Sequence, residues 1–430
     1  MTSTGNGRFR RFGAFLSVPA LGALMLTACS TAGDGGGSTA AANGFTFSFE
    51  NASGGAKNPW LVLADLYTKE TGVKVDAKGL PPDSYGTVVR TQLQGGNASD
   101  VMMFSPGSGN TNSVLPLAEA GYIEPLGSET AALIPKGNEA LFSLDGKVYA
   151  QPTDIVPVGM VWNAGAATKA GADAPKDADA MFDTCRSAAG GGKSFIALAG
   201  SAPPNVGLMT LAISATRVYA QTPDWNQQRA AGKVTFADSA GWTDTIETIV
   251  AMNKAGCFQK GAAGGGFDAI TKGITQGTSL AAFVPGAAAT ELANATPGLK
   301  LQVQAFPPAS GAEPYLLASP NYALAINAKA EGAQKDAARA FLTWMAKPAN
   351  AARFTEIQGG VAITGPDENL SPVYEPVADL LKEGDFAPLP LLEWPNPAVY
   401  DALSKGVQGL LTGQGDVPSV LAAADKAWGK

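Results

Sequence analysis

The stretch that decides the fold class is FTFSFE at residues 45–50, read together with the residues up to Phe104. Residues 45–50 alternate apolar and polar side chains, which is the two-residue period of a strand with one buried face. The following elements are predicted, in order, as a helix, a strand, a helix and a buried strand at residues 59–71, 73–78, 85–94 and 101–104. This alternation predicts an α/β fold with a mainly parallel sheet covered by helices.

Ligands of such sheets lie beyond the carboxyl ends of the strands, which directs attention to the loops after Phe49 and Phe104. Glu50 and Asn51 follow the first strand and serve either as solute contacts or as turn and cap residues. Ser105 follows the third strand and either binds a hydroxyl or caps a helix. Trp60 begins the first helix, where it faces a ligand or fastens the helix to the core.

Composition excludes several classes of protein. The chain has 430 residues, 45% hydrophobic and 16% charged, enough for two or three globular units. Its net charge is −7 and basic clusters are confined to the first dozen residues, so a nucleic-acid reader is not expected. It has no histidine and only three cysteines, so His-dependent catalytic triads and zinc or iron–sulfur sites are not expected, and we predict no metal and no cofactor.

The N-terminus has the pattern of an export signal. Arg8, Arg10 and Arg11 precede an apolar stretch at residues 12–26, too short for a permanent membrane helix. Leu26-Thr27-Ala28-Cys29 resembles the bacterial lipobox, which predicts a signal peptide over 1–28 and a lipid on Cys29. The alternative is an ordinary secretory signal with an incidental cysteine. Residues 29–44 are rich in Gly, Ser and Thr and are predicted to be a flexible tether.

Export affects the interpretation of the remaining cysteines. Outside the cytoplasm, a pair of cysteines usually forms a disulfide. We therefore predict a Cys185–Cys257 bridge, with two free buried thiols as the alternative. Two later helices are predicted over 240–256 and 333–346, and Trp162 and Trp344 are predicted to be core residues.

Several segments, taken in order, resemble the family-one extracellular solute-binding proteins, which are relatives of the maltose-binding protein. The most specific is DGKVYAQPTD at 145–154 running on to VWN at 161–163, which resembles the family's first crossing between lobes. Residues 322–327 with 338–342 resemble the return crossing, and GGVA at 359–362 resembles the third. Where the family often has Gly-Trp at a ligand loop, this chain has Gly286-Ala287.

The resemblance implies a two-lobe, type II periplasmic-binding-protein-like fold with a ligand cleft between lobes joined by a multi-strand hinge. The implied N-terminal lobe comprises 45–153 and 320–361, and the C-terminal lobe comprises 154–319 and 362–430. It also implies a monomeric receptor, held by its lipid at the outer face of the cytoplasmic membrane, that passes a small solute to the permease of an ABC importer.

The remaining candidate contacts lie at the implied cleft. Asp154, at the first crossing, binds a solute hydroxyl or pairs across the hinge. Glu393, Trp394 and Asn396 lie in LEWPNP at 392–397, a turn-rich loop in which a buried core Trp is not expected. The candidate contacts of the second-lobe loop are Phe283 and the backbone of Gly286.

Aromatic rings pack against the C–H faces of sugars, and Asp, Glu and Asn side chains bind sugar hydroxyls, so the first hypothesis is a carbohydrate receptor. A receptor for a polyamine, an anion or a peptide is the alternative within this fold. A polyamine would require acids such as Glu50, Asp154 and Glu393 to converge. Two other classes are a secreted glycosidase using two carboxylates and an adhesive surface lipoprotein.

Overall fold

A computed structural model describes residues 44–50, 58–110, 112–363 and 370–429, all within the unit Ala41–Lys430. The predicted signal peptide over 1–28, lipidated Cys29, the tether apart from its last residue, and Asn51 lie outside the described residues. No helix in the described ranges has both the length and the apolar character needed to cross a membrane.

The strands and helices alternate along much of the chain. The strands are β1 Gly44–Glu50, β2 Lys74–Leu80, β3 Val101–Phe104, β4 Ser143–Leu144, β5 Lys147–Val148, β6 Gln151–Pro152, β7 Asp154–Val158, β8 Met160–Asn163, β9 Ser194–Ala197, β10 Ser279–Ala282, β11 Leu301–Gln304, β12 Leu316–Pro320, β13 Ala323–Ile326, β14 Val361–Ala362 and β15 Phe386–Ala387. The α-helices are α1 Pro59–Thr71, α2 Pro82–Gly95, α3 Val114–Glu119, α4 Ser128–Ala131, α5 Ala164–Ala170, α6 Ala178–Gly190, α7 Pro203–Ser214, α8 Trp225–Ala230, α9 Ala240–Lys254, α10 Phe267–Thr275, α11 Gly286–Ala295, α12 Gly332–Met345, α13 Pro348–Gln358, α14 Ala378–Glu383, α15 Ala398–Leu411 and α16 Val417–Trp428. A π-helical turn at Ala215–Tyr219 and short 3₁₀ turns, among them Pro390–Glu393, complete the described elements.

The first sheet has the strand order β2-β1-β3-β13-β6. β1 pairs in parallel with β2 and β3, as predicted, whereas β13 runs antiparallel to β3 and β6. The alternation in β1 places the rings of Phe45, Phe47 and Phe49 in the core. This sheet and the helices packed on it form the first lobe.

Local signals account for the bounds of α1, which match the prediction. The side chain of Asn58 accepts hydrogen bonds from the amides of Trp60 and Leu61, which caps the helix, and Pro59 fits its first position. Gly72 ends it in the left-handed conformation at φ 76°. The other predicted helices and β2 are confirmed, with ends that differ by at most three residues from the predicted ones.

Two further sheets lie beyond the first. The second sheet has the order β11-β8-β10-β9 and is the centre of the second lobe. The crossing sheet has the order β14-β7-β12-β15, and the chain passes through it between the lobes. β6, β7 and β8 belong in turn to the first, crossing and second sheets, and β12 leads back to β13. The two-lobe α/β architecture is therefore the predicted one.

The second lobe contains the predicted disulfide. Cys185 of α6 and Cys257, which follows α9, are bridged with a Cα–Cα distance of 4.7 Å, and both side chains are fully buried. The bridge lies in a core cluster that also contains Trp162. Trp344 is buried in the first-lobe core, so both core assignments are confirmed.

Candidate functional site

Polar groups gather at one edge of the first sheet, where β1 and β3 end. β1 ends at Glu50, and Ser105 follows the last residue of β3. Tyr322 precedes β13, whose first residue pairs with both Phe104 and Pro152. The amide of Thr153 donates to the carbonyl of Tyr322 at 3.2 Å. The sheet register thus places these residues together where the chain enters the crossing sheet.

Tyr322 is the residue of this edge that the candidates named from sequence did not include. Its half-buried ring packs edge-on against Trp60 at a centroid distance of 5.9 Å. Burial raises the pKa of the Tyr322 hydroxyl, and the negative charges of Glu50 and Asp154 raise it further. The hydroxyl therefore stays neutral and able both to donate and to accept a hydrogen bond.

Asp154 is the most strongly perturbed acid of the site. It is 0% exposed, and its Oδ1 accepts a hydrogen bond from the Thr153 hydroxyl at 2.8 Å. Its Oδ2 has no hydrogen-bond partner among the described residues. Burial raises the pKa of the Asp154 carboxyl to about 7, although the Thr153 and Asn321 side chains act to lower it.

The third crossing closes over Asp154. A Cβ on Gly360 would lie 2.5 Å from Asp154 Oδ2, so only glycine allows the backbone to pass so close. Next to it, the Tyr374 hydroxyl donates to the carbonyl of Gly359. Burial raises the pKa of Tyr374, the Thr290 side chain lowers it, and the charge of Asp154 raises it. All three crossings therefore meet at this carboxyl.

Three predicted aromatic or loop contacts lie inside the protein. Trp60 is 2% exposed and packs in the first-lobe core, between Phe47, Phe49, Tyr322 and Phe354. Phe283 is fully buried beside Phe306, and Gly286 lies against the ring of Tyr374. A solute cannot touch the rings of Trp60 and Phe283 in this conformation.

The expectation that Trp394 is not a core residue is wrong. Its ring is 0% exposed, and its indole N–H donates to Asn226 at 3.2 Å. It packs against the rings of Phe236, Trp242, Tyr400 and Trp428. A turn-rich sequence predicted exposure, but helices remote in sequence cover the loop.

The polar neighbours of Trp394 form hydrogen bonds to other residues of the second lobe. The carboxylate of Glu393 accepts hydrogen bonds from Asn226 at 2.7 Å and Gln227 at 2.8 Å, and burial raises its pKa. The side chain of Asn396 accepts from the amide of Ala398 at 2.9 Å, at the start of α15, and donates to the carbonyl of Ala427. The three residues of this loop therefore do not meet at one open surface.

We expect Asn396→Ala to lower the free energy of unfolding by about 1 kcal/mol, because the first turn of α15 loses a side-chain acceptor. Urea denaturation measures the change. Asn253→Ala is the control, since its exposed side chain makes a single long bond of 3.4 Å, and it should stay within about 0.5 kcal/mol of the parent. Equal stability of the two variants would contradict a capping role for Asn396.

Ser105 stabilises its own loop. Its amide donates to the carbonyl of Asn112 at 3.2 Å, and its hydroxyl makes a long 3.4 Å contact with the Asn112 side chain. Ser105 also forms a bridge to Ser113. Its hydroxyl stays half-buried beside the site, so its oxygen can still accept a hydrogen bond from a donor.

A cavity of about 670 Å³ lies beside the third crossing, between α11 and α13. Thr290, Thr355 and Glu356 supply polar groups to its wall, and none of the predicted solute contacts lines it. No group of three or more acidic or cysteine side chains suited to a metal ion occurs within the described ranges.

The family model described as bacterial extracellular solute-binding protein matches residues 63–375 of the chain. No curated protein matches its sequence.

Solved structures share the fold at low sequence identity. A chitin oligosaccharide binding protein is 17% identical, with a TM-score of 0.72, covering 89% of this chain and 98% of that one. Apo RafE from Streptococcus pneumoniae is 17% identical, with a TM-score of 0.71 and coverages of 90% and 97%. A family 1 extracellular solute-binding protein from Bifidobacterium longum subsp. infantis is 19% identical, with a TM-score of 0.70 and coverages of 90% and 98%.

Proposed function

The chain belongs to the bacterial extracellular solute-binding proteins, and on that premise we propose that it captures a small carbohydrate between its lobes and delivers it to an ABC importer. The observation that carries the proposal is the edge where β1 ends at Glu50, β7 begins at Asp154 and Tyr322 precedes β13, with the charges of both acids raising the pKa of Tyr322. RafE has been solved with raffinose and a related sugar transporter protein from Bacillus licheniformis with stachyose, which supports a sugar as the solute.

The chemistry of this edge suits sugar hydroxyls. Carboxylate oxygens accept from hydroxyls, and the neutral Tyr322 hydroxyl both accepts and donates. Asp154 is 0% exposed and Gly360 covers its Oδ2, an atom with no hydrogen-bond partner among the described residues. A solute hydroxyl would therefore reach Oδ2 only when the third crossing moves aside, and would then satisfy this atom. The half-buried Tyr322 ring adds an apolar surface for C–H groups. The proposed contacts are Glu50, Asp154 and Tyr322, with Ser105 beside them.

We assign residues 45–153 and 320–361 to the N-terminal lobe, and 154–319 and 362–430 to the C-terminal lobe. Closure about the crossing sheet would bury the solute and exclude water from its hydrogen bonds. The closed form would then be the one that the permease recognises, so that solute binding shifts a population of conformations.

The proposal places the protein, as a monomer, at the outer face of the cytoplasmic membrane. A lipid on Cys29 would hold it there, and the Gly- and Ser-rich residues 29–44 would give the folded body room to reach the permease.

A polyamine receptor is the second candidate, and the acid pair favours it. Glu50 and Asp154 both act on Tyr322, so a cationic amine lying between them would meet two carboxyl groups. The third acid expected for this function, Glu393, is instead bound by Asn226 and Gln227. A sugar hydroxyl that donates to Asp154 would lower its raised pKa, and a cationic amine would lower it further through its charge.

The first experiment is a thermal-shift panel of sugars, polyamines and anions on the mature body without Cys29. A ligand at a hundred times its Kd stabilises the folded state by about 2.7 kcal/mol, which is a visible rise in melting temperature. A shift with raffinose, stachyose or another sugar supports the carbohydrate proposal. A shift with spermidine alone would replace it by the polyamine receptor, and silence across the panel would contradict both.

We expect Tyr322→Phe to weaken binding of the solute found in that panel by about tenfold, because one buried hydroxyl is removed while the ring is kept. Isothermal titration calorimetry measures the affinity. Glu119→Gln, an exposed first-lobe residue, is the control and should bind like the parent. Unchanged affinity of Tyr322→Phe would move the solute away from the crossing strands.

A further inference from the structure

A loop of the first lobe contacts the second lobe apart from the crossing strands. This glycine loop, residues 106–110, follows β3 and is fixed to its own lobe by a 2.8 Å bond from the Gly107 amide to the carbonyl of Leu141. The Ser108 amide donates to the carbonyl of Leu392 at 2.8 Å, and the Ser108 hydroxyl donates to the carbonyl of Trp394 at 2.8 Å.

The approach of the two backbones requires glycine. A Cβ on Gly109 would lie 1.7 Å from the carbonyl oxygen of Leu391, and one on Gly107 would lie 1.9 Å from that of Leu392. Both carbonyl oxygens belong to the main chain, so they cannot move aside as the end of a flexible side chain does. Any larger residue at these positions therefore separates the loop from residues 391–394.

Residues 391–394 connect the cores of the two lobes. Leu392 packs in a first-lobe cluster with Leu141 and Phe142. Two residues later, Trp394 is buried in the second-lobe cluster and bonded to Asn226. The glycine loop therefore holds the second lobe through a segment whose other end is anchored by a buried tryptophan.

We infer that Gly107, Ser108 and Gly109 are positioning residues for solute capture, because their contact with residues 391–394 sets the balance between open and closed lobes. The crossing sheet alone permits rotation of one lobe on the other, and a second contact restricts it. The apparent affinity for a solute scales with the fraction of molecules in the binding-competent arrangement. The role in solute capture rests on the proposed function, whereas the lobe contact rests on the geometry alone.

Small-angle X-ray scattering of the solute-free protein tests the lobe contact. Gly109→Ala is expected to have a larger radius of gyration than the parent, because its methyl group excludes the Leu391 carbonyl. The matched control is Gly127→Ala, in another first-lobe loop at φ −80° with no atom within 4 Å of the added Cβ. Scattering from a folded Gly109→Ala protein that superposes on the parent would overturn the inference.

Ser108→Ala keeps the test decisive if Gly109→Ala does not fold. It removes one hydroxyl at the lobe contact and leaves the main chain intact. Hydrogen exchange of the residue 108 amide should become about fivefold faster, as expected for one lost hydrogen bond. An unchanged exchange rate would show that the contact does not hold the lobes.

A final titration with raffinose tests whether the lobe contact also affects solute capture. Weaker binding by Gly109→Ala than by Gly127→Ala, by about tenfold, supports the coupling of the lobe contact to capture. If both bind raffinose equally, the positioning role is wrong. If the parent does not bind raffinose, the two variants are compared with the solute that raises the melting temperature in the thermal-shift panel, and equal affinities would again overturn the positioning role.

Discussion

Asp154→Asn is expected to raise the free energy of unfolding at pH 8 by up to about 4 kcal/mol and to change it little at pH 4. The carboxyl is fully buried and its pKa is raised to about 7 in the folded protein, against about 3.9 in an unfolded chain. Above pH 7 the folded protein must keep a charge out of water, which the neutral asparagine avoids.

The sign of the pH dependence follows from proton binding. Between pH 4 and 7 the folded state holds a proton on Asp154 that the unfolded state has lost, so stability falls as pH rises through this window. Below about pH 4 both states are protonated and the stabilisation is complete. The parent should therefore show this fall, and Asp154→Asn should lack it.

Urea unfolding of the solute-free protein at pH 4, 5, 6 and 8 measures the difference. Asp336→Asn is the matched control, since Asp336 is an exposed aspartate on α12, and its stability should follow the parent at every pH. Parallel curves for the parent and Asp154→Asn would mean that the carboxyl is hydrated, in contradiction to its buried position.

Replacing Cys185 and Cys257 together by alanine is expected to lower the free energy of unfolding by about 4 kcal/mol. The bridge spans 72 residues of sequence, and the entropy lost by the unfolded chain on closing a loop of this size has about that value. Denaturant unfolding of the oxidised parent and of the double variant measures the effect.

Reduction provides the control for this prediction. Both sulfurs are fully buried, so a reductant should act on the parent only when the protein unfolds. Unfolding in the presence of dithiothreitol should lower the melting temperature of the parent and leave that of the double variant unchanged. Equal melting temperatures of parent and variant under oxidising conditions would contradict the stabilising role.

The elements that the sequence predicted correctly carry their signals within a few residues. α1 begins at an Asn58 cap and ends at Gly72, and β1 alternates strictly between its faces. The disulfide followed from the export signal and the number of cysteines left after it, an argument that needs no geometry. The order of the crossing segments along the chain predicted the two-lobe fold.

The candidate site was predicted less well. The charges of Glu50 and Asp154 both raise the pKa of Tyr322, a residue that the sequence places in the return crossing and does not single out as a contact. A tyrosine hydroxyl at the start of an otherwise apolar strand was the available signal for it. The expectation that Trp394 lies outside the core is wrong because turn residues specify the path of the backbone and not the helices that pack over it.

By itself, the sequence determined the α/β class and the helix ends set by caps and glycines, because these depend on neighbours along the chain. It also determined the Cys185–Cys257 disulfide, because disulfides form in the compartment to which the export signal directs the chain. Only the tertiary structure decided which side chains meet. Ser108 binds the carbonyl of Trp394 across 286 residues, and Thr153 and Tyr322 meet across 169. Burial and pKa depend on such distant neighbours. The Asp154 oxygen that lacks a partner among the described residues, and the lobe contact, therefore become visible only when the chain has folded.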